Sequence, residues 1–112
     1  MLDGIASQLE RYMDVLSARQ KLVASNIANA DTPGYRTQDL DFQSEFKSAT
    51  GMAPTPVQVA GLPVRNDGNN VSLDRESRLL AENAMRFQVA SALMRGEIHN
   101  LQSAISGGGQ NS

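Results

Sequence analysis

The sequence predicts a mainly α protein. Long N- and C-terminal helices pack as an antiparallel coiled-coil hairpin around an extended Pro/Gly-rich middle arm with little or short β structure. Three observations predict it. Apolar residues recur every seven positions at both ends of the 112-residue chain, all four prolines fall between positions 33 and 63, and cysteine and tryptophan are absent with aromatics at 4%. Such a composition supports one domain without a dense independent core.

Residues 1–31 read as the first helix. Leu2, Leu9, Leu16, Val23 and Ala30 are spaced by seven, with Ile5 and Tyr12 between them, until Arg19 and Asn26 interrupt that second row. The stripe is that of an amphipathic helix whose apolar face fades towards its end. Pro33 disfavours helix at Thr32 and Gly34 allows positive φ, so the helix is expected to stop near Asp31. The amides of Asn26 and Asn29 are costly in an apolar seam, so they are expected to bond backbone or a partner.

Residues 32–71 read as an extended arm. Val57-Gln58-Val59 alternates as a short strand would, and Leu62-Pro63-Val64-Arg65 suits an edge strand. Asn66-Asp67-Gly68-Asn69-Asn70 is a turn signal. Phe42 and Phe46, one helical turn apart, suit a short helix within residues 40–47.

Residues 72–106 read as the second helix, capped by Ser72 or Asp74. One heptad row is Leu73, Leu80, Phe87, Met94 and Leu101; Ser77, Ala84, Ser91, Ile98 and Ile105 form another. Leu9, Leu16 and Val23 with Leu80, Phe87, Met94 and Leu101 are therefore the expected intrachain seam. Gly107-Gly108-Gly109 is expected to end the helix and leave residues 107–112 as a flexible tail. Two helices cannot cover every apolar position, Leu22, Ile27, Leu79 and Val89 among them, so neighbouring chains are expected to complete the burial.

Enzyme chemistry finds no constellation. His99 is the single histidine, no serine lies in a Gly-x-Ser-x-Gly turn, and Asp39 and Asp41 near Glu45 read as a solvated acidic turn. No catalytic residue, cofactor, metal or small-molecule ligand is expected. A net charge of −2 with interleaved arginines argues against nucleic acid. The longest apolar runs are too short to cross a membrane, and the first residues carry no secretory signal pattern.

Two stretches carry a resemblance. Ala24-Ser25-Asn26-Ile27-Ala28-Asn29-Ala30-Asp31-Thr32-Pro33-Gly34-Tyr35-Arg36 resembles the N-terminal signature of bacterial flagellar rod, hook and hook-associated proteins. Asp67-Gly68-Asn69-Asn70-Val71-Ser72-Leu73-Asp74-Arg75-Glu76, then Leu80-Ala81-Glu82-Asn83 and Arg86-Phe87-Gln88, resembles the proximal-rod members of that family, as does Asp39-Leu40-Asp41-Phe42. Residues 48–66 match least and are shorter than the resemblance implies.

The resemblance implies a structural subunit of the basal-body rod. It would assemble helically with copies of itself and other rod proteins, meet membrane-ring, rod-adaptor and export-gate components, and transmit torque across the periplasm. Export would run through the flagellar type III apparatus without a cleaved signal peptide. The resemblance also assigns Asn26, Ile27, Asn29, Asp31, Thr32, Pro33, Gly34 and Tyr35 to a helix stop and intersubunit arm, and Phe42 and Phe46 to export-gate recognition. Other readings are a different rod subunit of the same family, or a soluble coiled-coil adaptor or export chaperone.

Overall fold

The structure, a computed structural model, describes residues 4–48 and 53–110. Leu2 of the predicted apolar row, residues 49–52 of the predicted arm and residues 111–112 of the predicted tail lie outside the described residues. Five elements follow in order: α1 (Ile5–Ala28), β1 (Gln38–Asp39), α2 (Phe42–Lys47), β2 (Val57–Gln58) and α3 (Leu73–Gln110).

The chain is mainly helical, and the two long helices pack together. Their register is antiparallel: Asn26 bonds Glu76, Gln20 bonds Asn83, Leu16 shares a groove with Phe87, and Leu9 shares one with Ala90 and Leu93. As numbering falls along α1, it rises along α3. The molecule is accordingly long and thin, 73 × 25 × 17 Å.

Val15, Leu16, Val23 and Ala90 are buried between the helices, with Leu40 and Val71 closing one end. Leu9 and Met94 are half-buried, whereas Leu80, Phe87 and Leu101 are exposed. The row of α3 turned furthest inward is Glu76, Asn83 and Ala90, also spaced by seven. Polar residues can occupy that row because each finds a partner: among the described residues, no buried side-chain nitrogen or oxygen lacks a hydrogen bond.

Ser72 caps α3, its Oγ accepting from the Arg75 amide at 3.2 Å. α3 does not stop at Gly107. It continues to Gln110, because extending an existing helix gains one bond per residue and glycine weakens that extension without forbidding it. α3 has 38 residues against 24 in α1, so from about Ile98 it projects past the start of α1 by about 20 Å.

The described middle carries two short strands and one short helix, and it folds back on the helix pair. β1 and β2 pair antiparallel, Gln38 opposite Gln58 and Asp39 opposite Val57, and the Val59 amide donates to the Thr37 carbonyl at 3.0 Å. Asp41 caps α2 by accepting from the Ser44 amide. α2 then lies on α1, where the Tyr12 ring meets Phe42 and Phe46 edge-on at centroid separations of 5.4 and 5.6 Å. Arg11 donates to the Glu45 carbonyl at 2.9 Å from the same helix. Aromatic pairing and a charged donor thus fold the segment back. Leu62–Arg65 forms no strand; Arg65 is used in the joint described next.

Candidate functional site

The stretch 24–36 and the stretch 67–76 meet at the closed end of the helix pair. The joint has two layers, one made of turns and one of buried side chains.

In the first layer, two glycines touch. Gly34 and Gly68 have φ of 77° and 84°, and the Gly34 amide donates to the Asp67 carbonyl at 2.8 Å. A Cβ on Gly68 would lie 3.3 Å from the Gly34 Cα, so the turns approach backbone to backbone. Asn69, fully buried, donates its amide to the carbonyls of Asn29 and Thr32, both at 2.9 Å, just where α1 ends. Arg65 donates to the Ala30 carbonyl and to that of Val71. The carbonyls of Asn29, Ala30 and Thr32, just past the end of α1, thus take their donors from a distant segment of the chain. Asn70 completes the layer: its Oδ1 accepts from the Thr37 amide at 2.6 Å, and its carbonyl accepts from the Thr37 hydroxyl.

In the second layer, Asn26 is 0% exposed. Its Nδ2 donates to the Gln38 carbonyl at 2.8 Å and its Oδ1 accepts from the Gln38 amide at 3.1 Å, so one side chain pairs with the peptide groups as a neighbouring strand would. The same Nδ2 donates to Glu76 Oε1 at 2.7 Å, and Oδ1 accepts from the Tyr35 hydroxyl at 2.8 Å. Glu76, also 0% exposed, accepts from Arg75 at 2.6 Å through its other oxygen.

Asp39, 6% exposed, lies between two guanidinium groups. Arg19 of α1 donates to both carboxylate oxygens at 2.8 and 2.9 Å, Arg75 of α3 donates at 2.6 Å, and the Leu40 amide donates at 2.7 Å. Burial disfavours the charged form of Asp39. The hydrogen bonds from Arg19, Leu40 and Arg75 and the Arg19 charge outweigh it, so the carboxyl stays below its ordinary value. For Arg75, burial acts to lower the pKa, and bonding to Glu76 and Asp39 overrides it upward. Two arginines and two carboxylates bring α1, β1 and α3 to one neutral centre.

The expectation of a solvated acidic turn is therefore corrected for Asp39. The sequence shows three carboxylates in a polar stretch but not the two arginines that the fold brings from positions 19 and 75. Arg19, Asp39, Asn69, Asn70, Arg75 and Glu76 are residues to which the sequence reading gave no place in this joint. Their signal was present in the interruption of an apolar row at Arg19 and Asn26, and in the heptad spacing of Glu76, Asn83 and Ala90.

Of the signature residues, Asn26 and Tyr35 face into the joint, Tyr35 bonding Asn26, whereas the Asn29 side chain donates back to the Ser25 carbonyl at 2.9 Å and only its own carbonyl meets Asn69. Ile27 is half-buried, while Asp31, Thr32, Pro33 and Gly34 form an exposed turn. Phe42 is half-buried and Phe46 is exposed, both against Tyr12 rather than in the joint. Among the described residues, no cluster of His, Asp or Glu is arranged to hold a metal, and no helix is long and apolar enough to cross a membrane.

The arrangement binds one helix end to another, and among the described residues no buried side-chain nitrogen or oxygen is left unpaired. It is suited to holding geometry under load. Two grooves flank the helix pair: one is bounded by Leu9, Tyr12, Met85, Val89 and Leu93, the other by Leu16, Gln20, Asn83, Phe87 and Gln88.

The family model described as flagella basal body rod protein matches residues 13–36, which include the signature. The chain is similar to the flagellar basal body rod protein FlgB of Salmonella typhimurium, at 31% identity over 96% of this chain and 99% of that protein. It is 30% identical to FlgB of Escherichia coli K12 over the same shares, and 33% identical to FlgB of Cereibacter sphaeroides over 95% and 99%. The Salmonella alignment spans 137 positions against 112 residues here, so that relative carries residues this chain lacks.

Proposed function

The chain belongs to the FlgB family of flagellar basal body rod proteins and is a structural subunit of the rod; from that premise we propose that it packs helically in the proximal rod, with copies of itself and other rod subunits covering both flanks of its helix pair. The observation that carries this reading is the apolar surface left on α3. Met85, Val89 and Leu93 on one flank are 62, 56 and 57% exposed, and Leu80, Phe87, Ile98 and Leu101 lie uncovered on the other. A helix apolar on two flanks, with α1 meeting only the side between them, fits a shaft in which neighbours supply the remaining contacts.

Position across the periplasm, torque transmission, and contacts to membrane-ring, rod-adaptor and export-gate components belong to the same proposal. The joint supports it by tying α1 to α3 at one end, which is the stiffness a drive shaft requires. The exposed turn at residues 31–33 lies beside that joint, and its exposure supports reading it as the part of the signature that reaches a neighbour.

Val89→Glu combined with Leu93→Glu tests the assembly reading. Both side chains are more than half exposed, so the isolated variant keeps its helical signal and melting temperature within about 3 °C, as surface substitutions do. In cells lacking the native rod subunit it is expected to be absent from purified basal bodies and to leave the cells non-motile. Normal motility would overturn the use of this flank.

The same proposal includes export through the flagellar type III apparatus, with Phe42 and Phe46 as the recognition pair. In the folded chain both rings pack on Tyr12, so recognition takes place before α2 docks on α1. Phe42→Ala with Phe46→Ala is expected to abolish secretion while cytoplasmic levels stay unchanged. Tyr12→Ala removes the docking partner and leaves the pair intact, so it is expected to be secreted normally. Secretion of the double variant at the wild-type level contradicts the assignment.

A further inference from the structure

We propose that the buried polar network at the closed end is a register lock: it holds α3 at one axial position against α1 and so fixes how much of α3 projects past α1. The apolar positions alone do not select a register. Leu9, Leu16 and Val23 repeat every seven residues on α1, as do Leu80, Phe87, Met94 and Leu101 on α3. Sliding one helix by seven residues, about 10 Å, places apolar positions opposite apolar positions again.

The polar pairings do not repeat. The α3 row reads Glu76, Asn83, Ala90, and the α1 row that meets it has Arg19 seven residues before Asn26. A slide in one direction puts Asn26 opposite Asn83 and strips Glu76 of its amide donor. A slide in the other direction carries the buried Asn83 away from Gln20 and into the stretch around Met13 and Leu16. Either one breaks the Asp39 clamp, because Arg19 and Arg75 hold the same carboxylate from the two helices. Either one also pulls Asn69 from the carbonyls at the end of α1. A buried polar group whose partner exists in only one alignment specifies that alignment, the best-attested role of such groups.

What the lock serves, a constant subunit length along the shaft, rests on the rod reading above. The lock itself is read on the isolated chain, so the two can fail separately.

The chain has no cysteine, so spin labels can be placed without background. Lys21→Cys on α1 and Ala92→Cys on α3, both exposed, report the axial offset by pulsed electron resonance. The native chain is expected to give one label separation. With Asn26→Leu, Asp39→Ala, Asn69→Ala and Glu76→Leu added, a second population is expected, its axial offset changed by about 10 Å. A single separation at the native value, with helical signal retained, overturns the lock and assigns the register to the apolar seam. Should the four changes abolish helical signal, the milder set Asn26→Leu, Asp39→Asn, Asn69→Ser and Glu76→Leu, which weakens the same four contacts, is judged by the same criterion: two separations support the lock and one overturns it.

Discussion

Asn26→Ala is expected to lower the melting temperature of the isolated chain by about 10–15 °C. The side chain makes four hydrogen bonds to three residues, Gln38, Glu76 and Tyr35, and is fully buried. Truncation leaves the Gln38 peptide groups and one Glu76 oxygen without this partner in a space alanine cannot fill. Each buried polar group left unpaired costs about 1–3 kcal/mol, so a loss of about 3–4 kcal/mol is a conservative total. At about 4 °C per kcal/mol for a domain of this size, that gives the stated shift. Ala28→Ser, two residues away and exposed, is the control and is expected to move the midpoint by less than about 2 °C. Thermal melts followed by circular dichroism decide it. A shift below about 4 °C for Asn26→Ala would show that the joint tolerates the loss and is not the main tie between the helices.

The second large effect concerns Asp39. Asp39→Asn keeps the shape and removes the charge, which leaves Arg19 and Arg75 facing a neutral amide. A loss of about 2–3 kcal/mol at pH 7 is expected, below the figure for a fully buried pair because both arginines are partly solvated. The pH dependence identifies the cause. The carboxyl lies below its ordinary value of 3.8 in the folded chain, so the folded state holds the proton less tightly than the unfolded one. Its contribution is therefore complete above pH 3.8 and is lost as pH falls through the lower, folded value. The gap in unfolding free energy between the native chain and Asp39→Asn should be constant from pH 7 to about 5 and should narrow below 3.8. Denaturant titrations across that range measure it. A gap that stays constant down to pH 3 would mean the asparagine acts through shape and not through charge.

These two residues also show which parts of the protein the sequence announces. Asn26 could be located from sequence because it breaks an apolar row, and an amide in such a row needs a partner. Its partners could not, since Glu76 lies fifty positions away and Gln38 offers only its backbone. Asp39 misled for a related reason. In sequence it stands beside Asp41 and near Glu45, which reads as a wet acidic turn, yet the fold buries it between Arg19 and Arg75. Opposite charges can be counted in a sequence, but their pairing depends on chain path.

The long elements were legible because a period of seven over four or more turns is local information, and so were the helix stop at Pro33-Gly34 and the Asp67-Gly68 turn. Ser72 as the cap of α3 follows from the same local chemistry. The row that faces α1 was not legible. Leu80, Phe87, Met94 and Leu101 are the most apolar row, yet the fold turns Glu76, Asn83 and Ala90 inward beside them. Hydrophobicity alone favours the leucines. The polar row faces inward because the joint at Asn69 and Gly68 fixes how α3 leaves the turn, and because Gln20, Asn26 and Arg75 satisfy the groups it buries.

The path of the middle was decided in the same way. Four prolines and several glycines excluded a long helix there, and two phenylalanines one turn apart suited an anchor onto the helices, but nothing local showed that Tyr12 would receive them.

By itself, then, the sequence determined two amphipathic helices, the break between them and, through two motifs, the rod family. Only the tertiary structure decided which face of α3 is inside, where the middle lies, and that Asp39 and Glu76 are buried between the helices. Period and turn chemistry act over a few residues and are written in order along the chain. The pairing of buried charges and amides is a property of distant residues brought within 3 Å, and it exists only once the chain has closed on itself.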